Sequence, residues 1–164
     1  MSYEYYYENG EANFGPPLAR EADGGAHFTF DVILHDWRSV YGLRRPDGLH
    51  DGPKNALYFP HGLIRFGETV TDAVRRLASE QAGADVQSVE IYNLPSWVEN
   101  NHWHLCLNVF ALISSPPAGS DEVSEVVRVD APAAADDFAW WTEEQLESML
   151  NELRLRAAIR DRDT

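Results

Sequence analysis

The stretch from Phe59 to Ala84 constrains the fold more than any other part of this 164-residue chain. It combines a glycine turn, a short apolar segment and a helix with signals at both ends. Thr69 is a helix N-cap with Asp72 at the capping-box position, and Gly83 suits the left-handed residue that follows a helix. Apolar residues recur at helical spacing: Val70, Ala73, Val74, Leu77 and Ala78. The pattern therefore predicts a loop and then an amphipathic helix over 69–82.

The residues that carry chemistry in this stretch follow a fixed spacing. Five residues separate Gly62 from Glu68, seven separate Glu68 from Arg76, and Glu80 and Gly83 follow. This frame resembles the Nudix box, G-x5-E-x7-R-E-U-x-E-E-x-G-U, in which U is aliphatic. The segment Trp-Trp-Thr-Glu-Glu-Gln-Leu at residues 140–146 is also similar to the ending common in that family. The resemblance covers about residues 27–150.

The resemblance implies an α/β fold, a single domain with a mixed β-sheet between α-helices. We predict an acidic, tyrosine-rich arm over 1–26, the Nudix domain over 27–153 and a charged tail over 154–164. Family members cleave a nucleoside diphosphate linked to another group, so the expected partner is a small nucleotide derivative. Many members are dimers, which makes a homodimer the expected assembly.

Two positions depart from the family pattern. Leu77 and Gln81 stand where the box has the first and last of its three helical glutamates, and Glu80 alone is retained. In the family these glutamates bind Mg²⁺ or Mn²⁺, which neutralises phosphate charge. Positions 77, 80 and 81 share one helix face. The resemblance therefore predicts a single ion held by Glu80, Gln81, a backbone carbonyl near Gly62 and the substrate's phosphates.

The other box residues have expected structural or binding roles. The family uses the residues that match Glu68 and Arg76 to fix the loop against the helix. The alternative for Arg76 is an ordinary i,i+4 ion pair with Glu80. His61 replaces the first glycine of the usual Gly-Gly turn, and it either contacts phosphate or is a tolerated surface residue. Gly62 serves the backbone conformation of the loop.

One branch of the family departs from the box in a similar way. GDP-mannose mannosyl hydrolases also have leucine after the box arginine, use one metal ion and take a histidine base from a loop after the box. Glu99, His102 and His104 are the candidates for a base here, although they do not match the branch's motif residue by residue. The alternative is that these histidines are loop or half-buried strand residues. Trp97 and Trp103 either stack on a ligand or pack in the core.

The rest of the chain shows a strand-rich pattern. The apolar runs predict strands over 27–34, 39–44, 57–59, 86–94, 103–113, 123–129 and 138–141. Residues 96–102 and 131–137 are predicted loops. Thr142 begins a last helix with Gln145 at the capping-box position, and from Arg154 the chain is expected to fray. The tyrosines of the N-terminal arm are expected to pack on the domain or across a dimer.

Composition excludes several classes of function. There are 27 acidic and 13 basic residues, a net charge of −14 and a single lysine, Lys54. Such a chain has no general affinity for nucleic acid or anionic membranes, because both require basic surface. Abundant carboxylates with arginine preferred to lysine are typical of salt-adapted, haloarchaeal-type proteins, and an acidic protein from a GC-rich genome is the alternative.

The compartment follows from what the sequence lacks. Cys106 is the sole cysteine, so no intrachain disulfide forms, and its apolar surroundings predict a buried, inert thiol. The first 15 residues have neither the basic nor the apolar region of a signal peptide, and no apolar run is long enough to span a membrane. We therefore predict a cytoplasmic protein.

Two functions are compatible with the altered box. The first is a Mg²⁺- or Mn²⁺-dependent hydrolase of a nucleoside-diphosphate derivative, with nucleotide sugars favoured by the Arg76-Leu77 departure. The second is a Nudix module that has lost catalysis and binds a nucleotide-like ligand or a protein partner. Loss of two glutamates favours the module, whereas retention of Glu68, Arg76 and Glu80 favours the enzyme.

Overall fold

A ten-residue strand, β3 (Ala26–His35), runs through the centre of the main sheet. The structure is a computed structural model that describes residues 6–8, 11–13, 26–50, 52–65, 67–99 and 102–162. The other strands are β1 (Tyr6–Glu8), β2 (Glu11–Asn13), β4 (Val40–Arg45), β5 (Ala56–Tyr58), β6 (His61–Leu63), β7 (Val86–Asn93), β8 (Ser96–Glu99), β9 (His102–Ile113) and β10 (Glu125–Val129). The α-helices are α1 (Val70–Ala82) and α2 (Glu143–Arg160).

The main sheet is mixed, with the order β10-β4-β3-β9-β7. β3 and β9 are parallel along their length, and the other pairs are antiparallel. β6 lies beside β3 over residues 29–31, β5 pairs with β4, and β8 pairs with β9. The sheet thus brings the end of β6, where the loop to α1 begins, next to the middle of β3. β1 and β2 form a separate two-stranded sheet.

Each face of the sheet is covered by a helix. Phe30, Val32 and Leu34 of β3 pack with the buried face of α1, whereas Ile33 packs with α2. This alternation follows from the two-residue period of a strand. Asp31 therefore lies on the α2 face. The predicted α/β fold, a mixed sheet between helices, is confirmed.

Local signals explain where both helices begin. Thr69 and Asp72 form a reciprocal capping box at α1, and Thr142 and Gln145 form the same arrangement at α2. Gly83 ends α1 in the left-handed conformation, with φ of 58°. The predicted box helix and its buried stripe are confirmed. No helix among the described residues is both long and apolar enough to cross a membrane.

Four local predictions are wrong. Residues 96–99 form strand β8 rather than a loop, and residues 132–137 form a 3₁₀ helix. Residues 138–141 form no strand, since Phe138 makes only an isolated bridge to Leu57. The segment from Arg154 is helical to Arg160 and not frayed.

Long-range contacts stabilise the charged end of α2. Arg154 donates to the carbonyl of Asp130, and Arg156 bonds to Glu90 and to the carbonyl of Ile91. These partners are distant in sequence, so local composition does not reveal them. The expected packing of the tyrosine arm lies outside the described residues.

Candidate functional site

The loop before α1 is tied to the helix by one arginine–glutamate pair. Arg76 Nε and Nη2 donate to Glu68 Oε1 and Oε2 over 2.5 and 2.9 Å. Arg76 Nη2 also donates to the carbonyl of Leu63, and the backbone N–H of Arg65 donates to Glu68 over 2.7 Å. The hydrogen bonds from Arg76 lower the pKa of Glu68 to about 2. Both ends of the loop are thereby held against α1 by one fixed ion pair.

Glu80 is the carboxylate that remains at the three metal positions of the box. Its side chain is 49% exposed, and it lies 3.4 Å from Arg65 Nη1 and 3.5 Å from Arg76 Nη1. These distances are long for charge-assisted hydrogen bonds. Arg76 therefore makes both contacts considered from the sequence, a tight one with Glu68 and a loose i,i+4 one with Glu80. Because its contacts are loose, Glu80 can turn towards a cation.

The side chain of Gln81 is hydrogen-bonded to the backbone of β6. Its Oε1 accepts from the N–H of His61 over 3.0 Å and from Arg45 Nη2 over 2.9 Å. Its Nε2 donates to the carbonyl of His61 over 2.6 Å. An amide oxygen has two lone pairs, and both are engaged. For Gln81 to bind a metal ion, one of these donors would have to leave.

Leu77 packs beneath Gly62 in the core. The leucine side chain is buried, and a Cβ added to Gly62 would lie 2.7 Å from Leu77 Cδ2. A side chain at position 62 would therefore force Leu77 to shift, whereas Gly62 lies in β6 without a positive φ, so the expected role of this glycine in the loop conformation is not what the backbone requires. Of the three box positions, 77 has become a core position, 81 a backbone clamp, and only 80 still presents a carboxylate.

The donor set fits one weakly bound hard cation. Mg²⁺ is commonly bound through one or two carboxylates together with water and substrate phosphates. Glu80 supplies such a carboxylate beside Arg65, in the loop between β6 and α1. Because positions 77 and 81 supply no uncommitted oxygen, the described residues do not match a site for several ions.

A second polar cluster lies on the α2 face of the sheet. Asp31 Oδ1 is 2.7 Å from His61 Nδ1, and Asp31 Oδ2 accepts from Trp141 Nε1 over 3.2 Å. Asp31 is buried, and the His61 side chain is 11% exposed. The ring of His61 meets the edges of Trp140 and His50, with centroid distances of 5.1 and 5.7 Å. Aspartate, histidine and tryptophans thus form an ordered polar–aromatic group beside the loop.

Cys106 completes this cluster from β9. One ligand atom each from Asp31, His61 and Cys106 lie within 4.8 Å of one another. Burial raises the pKa of the Cys106 thiol to about 12, and the negative charge of Asp31 adds to this shift. The predicted buried thiol is confirmed. A thiol and an imidazole suit soft or borderline metals and are poor ligands for Mg²⁺.

The three sequence candidates for a base lie on the β8–β9 hairpin. Glu99 and His102 face each other in its register, and their side chains lie outside the described residues. His104 stacks on Trp97 with parallel rings and a centroid distance of 5.2 Å. Trp97 and Trp103 are 43% and 46% exposed, so neither is a core residue. His104 lies on β9 with His27 of β3 and Trp97 of β8 as its partners in the strand register.

Sequence reasoning missed two residues that shape the site. Asp31 interrupts an apolar strand, and a carboxylate in such a run is the signal that could have identified it. Arg45, 3% exposed, bridges Gln81 and Glu122, but both partners are too distant in sequence to suggest the contact. These contacts arise because β3 pairs with β6 and because Arg45 on β4 reaches Gln81 on α1.

A mixed sheet between two helices, with a glycine loop clamped to the first helix by an arginine–glutamate pair, defines the class of Nudix-fold proteins. The family model for the NUDIX domain matches residues 26–160. The chain therefore belongs to the Nudix family, as the spacing of its box predicts. No curated protein matches the sequence.

Solved structures share this fold at low identity. The MutT protein from Methanosarcina mazei Go1 matches with a TM-score of 0.62 at 11% identity, covering 82% of this chain and 97% of that one. A bifunctional NMN adenylyltransferase/ADP ribose pyrophosphatase from Francisella tularensis, complexed with AMP and a Mn ion, matches with a TM-score of 0.58 at 15% identity, covering 82% and 44%. A MutT/nudix family protein from Enterococcus faecalis matches with a TM-score of 0.53 at 21% identity, covering 63% of this chain. The chain spans 43% of that Enterococcus protein.

Proposed function

We propose that this protein is a divalent-metal-dependent hydrolase of a nucleoside-diphosphate derivative. The observation that carries the proposal is the half-exposed Glu80 carboxylate beside a loop that Glu68 and Arg76 hold in place. A packing scaffold alone gives no reason for a loosely held carboxylate at this position. The Francisella tularensis neighbour, an ADP ribose pyrophosphatase complexed with AMP and Mn, supports a nucleotide substrate and makes Mn²⁺ an alternative to Mg²⁺.

In this proposal the chain's own residues position the substrate's phosphates. Glu80 and the backbone carbonyl near Gly62 would hold the ion, which when bound neutralises phosphate charge. Arg65 and Arg76 already flank Glu80 and add positive charge there. Gln81 fixes β6 and so keeps Gly62 in register with α1. We keep Glu99, His102 and His104 as the base candidates that the sequence offers, and a homodimer in the cytoplasm as the expected state.

Within this class we propose a nucleotide sugar, of the GDP-mannose type, as substrate. The support is Leu77, which removes the same box glutamate that the mannosyl hydrolase branch lacks. Its burial beneath Gly62 makes the change part of the core packing. One ion and one carboxylate suffice when the substrate itself supplies diphosphate oxygens.

A second function is supported by a different observation. Gln81 and Leu77 both have structural roles, so two of the three box positions that bind metal in the family supply no uncommitted ligand here. A Nudix module that binds a nucleotide-like ligand or a protein partner without catalysis would need no more than this. We rank it second because Glu80 makes only loose contacts.

The experiment that tests the proposal is hydrolysis of a nucleotide panel at molar KCl with Mg²⁺ or Mn²⁺. The panel contains GDP-mannose, ADP-ribose, dinucleoside polyphosphates and nucleoside triphosphates. Glu80→Gln removes the proposed ligand charge with little change of shape. We expect turnover that requires the metal and falls about 100-fold or more in this variant. The products show whether phosphorus or the sugar carbon is attacked.

Glu147→Gln is the matched control, because it makes the same charge change on the exposed face of α2. This variant should retain wild-type turnover. A folded wild type that hydrolyses none of the panel but binds one member without metal would contradict the hydrolase and support the binding module. Equal turnover of wild type and Glu80→Gln would contradict the role of Glu80.

A further inference from the structure

Three strands each contribute one potential metal ligand to the α2 face of the sheet. Asp31 of β3 pairs directly with His61 of β6. Cys106 of β9 pairs with Thr29, which precedes Asp31 by two residues. Side chains two residues apart on a strand point to the same face, so the strand register itself brings the three donors together. One ligand atom from each of them lies within 4.8 Å of the other two.

The spacing of these donors fits a tetrahedral zinc ion. Bonds of about 2.0 Å to nitrogen or oxygen and about 2.3 Å to sulfur place neighbouring ligand atoms about 3.3–3.6 Å apart. Asp31 Oδ1 lies 2.7 Å from His61 Nδ1, and no separation in the cluster exceeds 4.8 Å. These distances bracket the zinc geometry, so side-chain rotations reach it while the strands stay paired. The ring of His61 meets the 41% exposed Trp140, which gives an ion access from this side.

The charges of the cluster suit a divalent cation. One carboxylate, one thiolate and one divalent ion together carry no net charge, and a neutral set is what a buried site requires. The Thr29 hydroxyl and the Asp31 backbone N–H both donate hydrogen bonds to the Cys106 sulfur, and such bonds favour the thiolate. Burial and the charge of Asp31 keep the thiol protonated without an ion, and coordination by a metal deprotonates a thiol outright.

Outer contacts orient the donors. Asp31 Oδ2 accepts a hydrogen bond from the indole N–H of Trp141 over 3.2 Å, which fixes the direction of the carboxylate. Asn108 Oδ1 lies 3.5 Å from Cys106 Sγ, and Asn108 Nδ2 donates to Asn93 over 2.6 Å. The second bond turns the amide oxygen of Asn108 towards the sulfur, where it can serve as a fourth ligand. Contacts of this kind support the ligands of metal sites in general.

We propose that Asp31, His61 and Cys106 bind one Zn²⁺ ion that joins β3, β6 and β9. A thiolate and an imidazole select a borderline metal, whereas the carboxylate of Glu80 suits a hard one. Glu80 also belongs to α1, which packs on the other face of the sheet, so this site does not depend on the proposed hydrolase function. The role of the ion is structural, because it holds β6, and with it the start of the loop to α1, against the middle of the sheet.

Binding requires two proton movements. The Asp31 carboxylate only accepts hydrogen bonds, so the hydrogen of the neutral His61 ring lies on Nδ1, which donates to it. When the ion binds, this hydrogen moves to Nε2 and Nδ1 becomes the ligand. The thiol proton of Cys106 leaves to solvent. No oxidant or reductant is needed.

The test measures metal binding by the full-length protein after removal of metals with a chelator, in molar KCl with excess Mg²⁺. The Mg²⁺ occupies carboxylates that prefer hard ions. We expect one Zn²⁺ or Co²⁺ ion per chain, and a melting temperature that rises by about 5–10 °C at an ion concentration about 100-fold above Kd. Bound Co²⁺ should show a thiolate-to-cobalt absorption band. Because Cys106 is the sole cysteine, this band identifies the sulfur ligand in the wild type itself.

Single variants identify the other ligands. Cys106→Ala should lose the band, and Asp31→Asn and His61→Gln should each weaken Co²⁺ binding by about 100-fold or more. Glu80→Gln is the control, and it should bind Co²⁺ as the wild type does.

A folded wild type without the band would overturn the proposal, and so would equal Co²⁺ affinity of the wild type, Asp31→Asn and His61→Gln. Binding that is lost in Glu80→Gln and retained in Cys106→Ala would assign the ion to the box instead. Since no step measures hydrolysis, failure of the proposed hydrolase function would not change these outcomes.

Discussion

Arg76 and Glu68 are joined by two parallel hydrogen bonds, of 2.5 and 2.9 Å, between a helix and the loop that precedes it. The guanidinium also bonds to the carbonyl of Leu63. Planar, bidentate pairing of this kind requires arginine, since a lysine ammonium cannot form both bonds. The pair therefore links the end of β6, where Gly62 lies, to the middle of α1. This link holds the box together although two of its metal positions have changed.

Breaking the Glu68–Arg76 pair should destabilise the protein at neutral pH. We expect Glu68→Gln to lower the free energy of unfolding by about 1–3 kcal/mol, and Arg76→Lys to cost a similar amount. Urea denaturation in molar KCl measures these free energies of unfolding, and the double variant completes a double-mutant cycle. Additive effects of the two single variants would contradict a direct coupling between them.

The same pair predicts an acid-dependent loss of stability. The pKa of Glu68 is about 2 in the folded protein, below its ordinary value of 4.5, because Arg76 donates hydrogen bonds to the carboxylate. The unfolded chain therefore binds the proton first, so the contribution of Glu68 is present above pH 4.5 and is lost as the pH falls towards 2. The stability difference between wild type and Glu68→Gln should shrink between pH 5 and pH 3. A constant difference over this range would contradict the depressed pKa.

Gln81→Glu should restore part of the metal dependence that the box has lost. The amide Nε2 now lies 2.6 Å from the carbonyl of His61, and a carboxylate oxygen at that place would repel the carbonyl. A divalent cation between the two oxygens would remove this repulsion. We therefore expect the melting temperature of Gln81→Glu to rise with Mg²⁺ or Mn²⁺ more than that of the wild type.

Gln81→Ala is the control for this experiment, because it removes the amide without adding a charge. Its response to the ion should not exceed that of the wild type. Equal responses of Gln81→Glu and Gln81→Ala would show that position 81 cannot contribute to a metal site in this fold. Arg45 would then remain the main partner of the introduced carboxylate.

The sequence is most informative where local and global preferences agree. The α1 helix carries a capping box, a left-handed glycine and an apolar stripe in one continuous stretch, and the structure shows each of them. The contact between Arg76 and Glu68 could also be predicted from the sequence, because the resemblance to the Nudix box implies it. These features require only residues within about 25 positions of one another.

Features that depend on distant pairing could not be predicted. β8 looks polar, and only its register with β9, where Trp97 faces His104, makes it a strand. Asp31 becomes part of the site because β6 lies beside β3. The sequence shows that Leu77 and Gln81 replace two glutamates of the box. It does not show that Leu77 packs against Gly62 or that Gln81 bonds to the backbone of His61, because these contacts join different elements.

Burial of His35 predicts a second loss of stability, at a less acidic pH than the loss that Glu68 causes. Burial lowers the pKa of this histidine to about 4, and the nearby Arg156 and Arg160 add to the effect although Asp36 opposes it. The unfolded chain binds the proton near pH 6.5, so folding is progressively disfavoured as the pH falls from 6.5 to 4. The full effect is about 3 kcal/mol at most.

Unfolding by urea at pH 7, 6 and 5 measures this effect. His35→Gln should have a flatter pH dependence than the wild type over this range, even if it is less stable at pH 7. The ring of His35 should show no titration around pH 6.5 by NMR. A normal titration there would contradict a buried, neutral histidine.

The acidic surface predicts that stability increases with salt. The net charge is −14, and exposed carboxylates such as Glu143 and Glu147, one turn apart on α2, repel each other. At 0.1 M KCl the Debye length is about 10 Å, and at 1 M it is about 3 Å, so molar salt screens such pairs. Glu147→Lys turns this repulsion into attraction and should stabilise the protein by about 0.5–1 kcal/mol at 0.1 M KCl. Salt also strengthens apolar burial, but it does so equally in the wild type and in Glu147→Lys. The stabilisation by Glu147→Lys should therefore vanish by 2 M KCl if relief of charge repulsion causes it. A gain that is unchanged at 2 M would assign the effect of the substitution to helix propensity or packing instead.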